Sequence, residues 1–350
     1  MKLLVVIAHY CGGSPQTNGT GAYYGSAGAR LPRLAALSEQ IVTLHRNFGP
    51  SHVPVRPGQA PSTADSLDIV VVTVEGHNVL DRLDLAPGAF EAVLFDGPPM
   101  TLPFEAQRIL RERVGQYDFY GMLEDDLILL DPAHFEKLRW FVETFSERCL
   151  LQPHRCEVSK TGTPAKFIID PDLGERHGRF VHEGQATHLS GDWHGRRIDF
   201  IAPSNPHSGG YFVTDAQLRH WIAQPWFYDR DPSWVGPLES AATLSVTRTF
   251  EVYKPVDAQA SFLEIEHYGA RWANLFEPGD AVYGDALLLK LLQSVAEGEG
   301  GTEDLRALAH RGLYEVVLRE NDQLRAQMNS RSRMFRHWLS LLLAKAMRAG

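Results

Sequence analysis

Three features of this sequence could do chemistry together. Glu124-Asp125-Asp126 sets three carboxylates in a row, directly after the apolar stretch Phe119 to Leu123 and directly before Leu127-Ile-Leu-Leu130. Adjacent acids repel one another and are costly to bury unpaired, so a cation is their natural partner. An all-oxygen set suits a hard divalent ion, Mg²⁺ or Mn²⁺, that keeps positions open for phosphate oxygens. A solvated acidic turn at a strand end is the plain alternative. His267 closes the alternating segment Phe262 to His267 and can complete a coordination sphere begun by the acids. Glu239 lies in the first turn of the helix that Pro237 opens; it is a candidate general base, and equally an acid that stabilises a helix start.

The elements that must position these groups read as an open α/β sheet. Leu3 to Ala8 is a continuous apolar run, the pattern of a parallel strand covered on both faces. It feeds a Gly-, Ser- and Thr-rich loop, Cys11 to Gly28, longer than most strand-to-helix connections. No phosphate-loop or dinucleotide glycine pattern follows it. Helical spacing from Leu34 to Phe48 puts Leu34, Leu37, Ile41 and Leu44 on one face. After the Pro-rich connection Ser51 to Asp65 come strands at Leu67 to Glu75 and Phe90 to Asp96, a helix at Phe104 to Val114, and the strand before the triplet. Ligands of such sheets sit at the carboxyl ends of the strands. Glu75, Asp96 and the triplet all lie there.

Further on, Asp131-Pro opens a helix reaching about Phe145, and Phe167 to Asp170 is a short strand. Arg176 to Arg197 is polar and reads as a loop or hairpin. Its histidines, His177, His182, His188 and His194, lack a helical metal-ligand spacing and belong to the surface or a cleft. A strand precedes Asp215, which caps the next helix. The Pro237 helix, a strand at Phe250 to Pro255 and the segment ending in His267 follow.

Composition narrows the class. A chain of 350 residues suffices for one large α/β domain with appendages or for two small ones. Hydrophobic content of 44% and charged content of 22% are ordinary for a globular protein. The net charge of −9 argues against general nucleic-acid binding. Three cysteines, Cys11, Cys149 and Cys156, with no CxxC pair, fit a reducing compartment. The apolar start reads as a first strand rather than a leader peptide, and no stretch approaches the roughly 20 apolar residues of a spanning helix.

In this order the motifs resemble those of the GT-A fold nucleotide-sugar glycosyltransferases, in particular enzymes that build bacterial surface polysaccharides. Glu124-Asp125-Asp126 matches the DxD metal motif in its EDD form. Leu238-Glu239-Ser240 stands where the family has its xED acid, with Ser240 in place of the second acid, and His267 matches a late metal-contacting histidine. The resemblance covers roughly Met1 to Phe276. It implies a Rossmann-like, mostly parallel central sheet with flanking helices. Residues 1–130 would form the nucleotide half and 131–297 the acceptor half.

It further implies that Mn²⁺ or Mg²⁺ is held by Asp126, with Glu124 and His267. The donor, a UDP-sugar, would lie against His9, Tyr10, Cys11, Gly12, Glu75, Asp96 and Asp125. Ser208-Gly209-Gly210 would border donor sugar and acceptor. Trp234, with Trp221, Trp226 and Tyr228, could stack on sugar rings or pack in the core. Transfer would go to a glycan or lipid-linked glycan, with inversion if Glu239 is the base. A sugar-1-phosphate nucleotidyltransferase and a non-catalytic membrane scaffold are the alternatives. The absence of a basic residue from Tyr10 to Ala29 counts against the first, and intact acids count against the second.

The sequence changes character after the joint Gly298-Glu-Gly-Gly-Thr. Tyr314, Val317, Asn321, Leu324 and Met328 form a coiled-coil seam over 314–328 that could join two copies. Residues 331–350 carry five basic and no acidic residues beside Phe335, Trp338 and a leucine run. That combination suits a helix lying in an anionic membrane interface, or docked on the domain. The expectation is a cytoplasmic enzyme, peripheral on the inner face of the cell membrane, with a helical tail over 298–350.

Overall fold

The computed structural model describes residues 1–12, 30–51, 65–159, 165–170, 180–234, 236–270 and 273. The glycine-rich loop beyond Gly12, most of the Pro-rich connection, the domain boundary near 297 and the whole tail lie outside them.

The central sheet has five strands: β1 (Lys2–Ala8), β2 (Ser66–Thr73), β3 (Glu91–Leu94), β4 (Phe119–Glu124) and β11 (Gly210–Thr214). Their order is β11-β4-β1-β2-β3. The first four are parallel, and β11 closes the β4 edge antiparallel. The unbroken apolar run of β1 has a direct cause. Leu3, Val5 and Ile7 pack with Leu37, Ile41 and Leu44 of α1 (Arg30–Phe48) on one face. Leu4, Val6 and Ala8 pack with Ala106, Ile109 and Leu110 of α2 (Glu105–Glu112) and with Ala241 and Val246 of α5 (Pro237–Thr249) on the other. Both faces are dry, so no position along the strand can be polar.

Two smaller mixed sheets, not anticipated from the sequence, sit beyond the carboxyl edge. One contains β6 (Cys149–Leu151), β12 (Glu251–Pro255), β10 (Arg196–Ile201) and β9 (His188–Trp193). The other contains β5 (Leu127–Ile128), β13 (Glu264–His267), β7 (His154–Val158) and β8 (Lys166–Ile168). β5 follows the acidic triplet immediately and pairs antiparallel with β13, Leu127 opposite His267. The polar 176–197 stretch resolves into the β9–β10 hairpin from His188 onward.

Two helix starts differ from expectation. α4 (Asp215–Ile222) is capped by Thr214, whose hydroxyl accepts from the Gln217 N–H while the Gln217 side chain accepts from the Thr214 N–H. This reciprocal box leaves Asp215 free to accept from the Gly115 N–H and the Tyr120 hydroxyl. α3 begins at His134, after Asp131 has spent a carboxylate oxygen on the Ala133 N–H in a preceding turn.

His134 itself is fully buried, edge-on to Phe135 and Phe212, and neither ring nitrogen has a hydrogen-bond partner among the described residues. Burial holds its pKa down to about 4, against 6.5 for an unperturbed imidazole. The unfolded chain therefore takes up a proton before the folded one does. The His134 contribution to stability should be constant above about pH 6.5 and fall as pH drops from there toward 4, by up to about 3 kcal/mol. His134→Leu should remove that part of the acid-side slope, leaving the part due to His207 and His154, and raise stability at neutral pH by about 1 kcal/mol or more. Urea unfolding at about pH 7.5 and pH 5 tests both statements.

Candidate functional site

The triplet leaves the carboxyl end of β4 at a level where Ala8 of β1 lies beside both Glu124 and Val72. Successive side chains point in different directions there, so the three acids have three fates.

Asp125 points inward. One carboxylate oxygen lies 2.6 Å from Nδ1 of the fully buried His9, and the other is bonded by Arg33 of α1. Burial pushes its carboxyl up, but Arg33 and His9 outweigh this and hold it below the usual carboxylate range. His9 is fixed in turn, its Nε2 accepting from the Val79 N–H at 3.2 Å. Both residues are thus engaged within the chain, as a strut between β1, β4 and α1.

Asp126 faces α1 and β13. Oδ2 lies 3.2 Å from Arg33 Nη1 and 3.5 Å from His267 Nε2, while Oδ1 is buried without a hydrogen-bond partner among the described residues. The Tyr268 N–H donates to the Asp126 carbonyl at 2.7 Å, which pins the turn to the end of β13. The other ring nitrogen of His267, Nδ1, lies 2.6 Å from the buried carboxylate of Glu157 on β7.

Glu124 turns the opposite way, toward β7 and the strand-leading turn of β11. Its oxygens lie 3.5 Å from Arg155 and 3.6 Å from His207 Nε2. Burial, with the neighbouring charges of Glu239, Asp126 and Asp125, raises its carboxyl well above the usual range, against the pull of Arg155. Behind it lies a buried charge network. Arg155 is held by Asp170 at 2.6 Å, and Lys254 lies 3.6 Å from the other Asp170 oxygen while donating to the His207 carbonyl at 2.6 Å. Burial lowers the Lys254 ammonium to about 8, and burial together with Arg155 keeps His207 neutral. Glu239, in the first turn of α5, is raised by burial above 4.5, and it senses the charges of Arg155 and Asp126.

The Ser208-Gly209-Gly210 turn is built for approach to the protein's own backbone. Gly209 has φ +70°, and a Cβ there would lie 2.5 Å from the Leu127 side chain; one on Gly210 would lie 2.3 Å from the Met122 carbonyl. The Gly209 carbonyl accepts from the Glu124 N–H at 2.9 Å, and Ser208 donates to the Pro153 carbonyl. Glycine here lets β11 dock on the triplet.

At the ends of β1 and β2, Tyr10 stacks on His77 with ring centroids 5.4 Å apart, and the Cys11 N–H donates to the His77 carbonyl. Gly12 holds φ +138°, where a Cβ would lie 3.0 Å from His77 Nδ1. Cys11 is buried, while Glu75 and Asp96 are exposed.

The aromatic residues expected to meet sugar rings do not line an open cleft. Trp221 is 0% exposed, in the core against Tyr211, Phe227 and Phe250. Trp226 donates to Thr249 at the far end of α5, and Tyr228 bonds Glu105. Trp234 is 6% exposed, packed edge-on to Phe180 and His207. Ser240 staples it, bonding both its N–H and its carbonyl. Of the loop histidines, His182 bonds the Thr247 and Phe250 carbonyls, and His188 and His194 are exposed; His177 lies outside the described residues.

The residues that sequence reasoning missed are Arg33, Arg155, Glu157, Asp170, His207 and Lys254. None sits in a motif.

Among the described residues, no group of three or more His, Cys, Asp and Glu side chains is arranged to hold a metal ion. Asp126, whose Oδ1 has no hydrogen-bond partner among the described residues, and His267, with Nε2 beside Oδ2, are the two side chains that could supply one carboxylate and one imidazole to an ion taking its other ligands from phosphate and water.

No family model and no curated protein matches the chain. Among solved structures it is similar to residues 1–349 of TarS from S. aureus in complex with UDP-GlcNAc, at 11% identity and TM-score 0.37 over 90% of this chain and 72% of that one. A longer TarS structure matches at 10% identity and TM-score 0.39, over 91% of this chain and 49% of that one. Likeness of this degree carries no argument about activity.

The geometry separates Asp125 from Asp126. Asp125→Ala, which takes the carboxylate from His9 Nδ1 and one of the acceptors from Arg33, should cost about 3–5 kcal/mol in urea unfolding. Asp126→Asn, one residue on, should stay within about 1 kcal/mol of the parent protein.

Proposed function

We infer that the protein is a metal-dependent glycosyltransferase. It would move a sugar from a nucleoside-diphosphate donor, a UDP-sugar, to a glycan or lipid-linked glycan, with inversion at the anomeric carbon. The observation that carries this reading is the convergence of Asp126 and His267, a carboxylate with an unpartnered buried oxygen facing an imidazole nitrogen 3.5 Å away. Asp126 and His267 would hold Mn²⁺ or Mg²⁺, and the bound ion would supply charge stabilisation for the departing diphosphate. Glu124, turned toward Arg155 and His207, is better suited to shaping the sugar side of the site than to ligating the ion.

The chain's own groups account for the rest. Glu239 accepts the proton of the acceptor hydroxyl as its oxygen bonds to the anomeric carbon and the bond from that carbon to the diphosphate breaks. A carboxyl raised by burial is a better proton acceptor than an exposed one, and the charge of Arg155 opposes that rise. Tyr10, Gly12, Glu75 and Asp96 border the strand ends where a nucleoside would lie, with His77 added by the stacked Tyr10 ring. We further propose that residues 298–350 hold the enzyme at the inner membrane face or to a second copy.

In a thermal-shift titration, UDP should raise the melting temperature only when Mn²⁺ is present. No shift with any nucleoside diphosphate under either condition would leave the scaffold reading ahead. Glu239→Gln should lower kcat by about 10²–10⁴-fold while sparing the Mn²⁺-dependent UDP shift. In the parent enzyme the acid limb of kcat/KM should lie above 4.5, the ordinary value for a glutamate, since activity falls as the raised carboxyl becomes protonated. A limb at or below that value excludes Glu239 as the base.

A further inference from the structure

Glu157 has no place in the motifs, yet it is fully buried and both its oxygens are engaged. Oε1 lies 2.6 Å from His267 Nδ1, and Oε2 accepts from the Ala273 N–H at 2.8 Å. Its position is set by sheet pairing. β7 runs parallel to β13 with Cys156 opposite Glu266, so the next residue on each strand, Glu157 and His267, is brought into reach. β13 also pairs with β5, and the Tyr268 N–H holds the Asp126 carbonyl. Asp126 in the turn before β5, His267 on β13 and Glu157 on β7 are thus brought together by the pairing of adjacent strands.

The two contacts of the imidazole are unequal. At 2.6 Å the Glu157 side is a short, charge-assisted hydrogen bond. At 3.5 Å the Asp126 side is longer than a normal N–H···O bond of about 2.7–3.2 Å. A hydrogen on Nδ1, donated toward Glu157, leaves the lone pair on Nε2, the nitrogen on the Asp126 side.

We propose that Glu157 is a positioning residue for the metal. By accepting the Nδ1 proton it fixes the His267 tautomer, so that the Nε2 lone pair points to the ion beside Asp126. This rests on the metal-dependent reading above and adds a residue to it. A carboxylate is required rather than any polar group, because two donors, His267 Nδ1–H and Ala273 N–H, must both be accepted. An amide has one acceptor oxygen, and its NH₂ would donate to Nδ1 and move the imidazole proton to Nε2.

The test is Mn²⁺ binding to the full chain, with and without UDP, followed by electron paramagnetic resonance for affinity and by pulsed measurement of nitrogen modulation from a coordinated imidazole. The parent protein should show that modulation, and His267→Gln should lose it. Glu157→Gln, nearly isosteric, should weaken Mn²⁺ by about 10–100-fold and reduce the modulation. Glu157→Asp, which keeps the carboxylate, should retain it. Unchanged thermal melting of the Gln variant separates this from loss of fold.

Bound Mn²⁺ without nitrogen modulation in the parent protein overturns the proposal and leaves the metal-dependent reading standing. So does a Glu157→Gln variant with parental affinity and modulation. No Mn²⁺ binding even with UDP overturns the metal-dependent reading itself, and this inference with it.

Discussion

Three carboxylates at the end of one buried strand cannot share a site unless each is compensated separately, and most of the surrounding structure meets that constraint. Like charges at adjacent positions raise one another's ionisation cost, and a low-dielectric setting enlarges the effect. The chain distributes the three among different partners. Asp125 goes to His9 and Arg33 in the interior, and Glu124 goes to Arg155 and its network. Asp126 goes to the side of β13, where Arg33 and His267 both approach its Oδ2. The middle acid is therefore structural, and the outer two face different parts of the site.

This division explains why the two small sheets exist beside a central sheet that already buries its apolar surface. β7 brings Arg155 to Glu124 and Glu157 to His267, from positions separated by one residue. β12 brings Lys254, and β13 brings His267. The strands are short because they serve as rigid mounts for single side chains, which loops would hold less firmly. The glycine turn before β11 completes the arrangement by letting a backbone carbonyl reach the Glu124 N–H.

Much of the central sheet was legible in the sequence because its signal is strong. The runs at Leu3 to Ala8 and Ile69 to Val72 have no other economical reading, and the helical spacing of Leu34 to Phe48 is unambiguous. The acidic triplet, Glu239 and His267 stood out because each lies at an element end where side chains meet solvent or ligand. The two small sheets were not legible. His154 to Val158 mixes a histidine, an arginine, a cysteine and a glutamate, and nothing local reveals that those charges are buried against partners far along the chain. The aromatic residues left two readings open for a related reason. Trp221 and Trp234 follow no period that separates a core position from a sugar platform, and burial by α5 decided both. The capping of α4 by Thr214 rather than Asp215 turned on one residue, which propensity alone does not resolve.

The pairing of Leu127 with His267 has a consequence for how the site comes into being. The acid and the imidazole are brought together only by strands lying far apart in the chain, so their encounter carries a large loop-closure cost and comes late. His9 and Arg33, by contrast, both precede Asp125 and lie in the same half of the chain. During synthesis the triplet can therefore be partly neutralised as soon as β4 joins β1, long before β13 has left the ribosome. Arg33 thus compensates the triplet early, and it stays on the Asp126 oxygen that His267 later approaches.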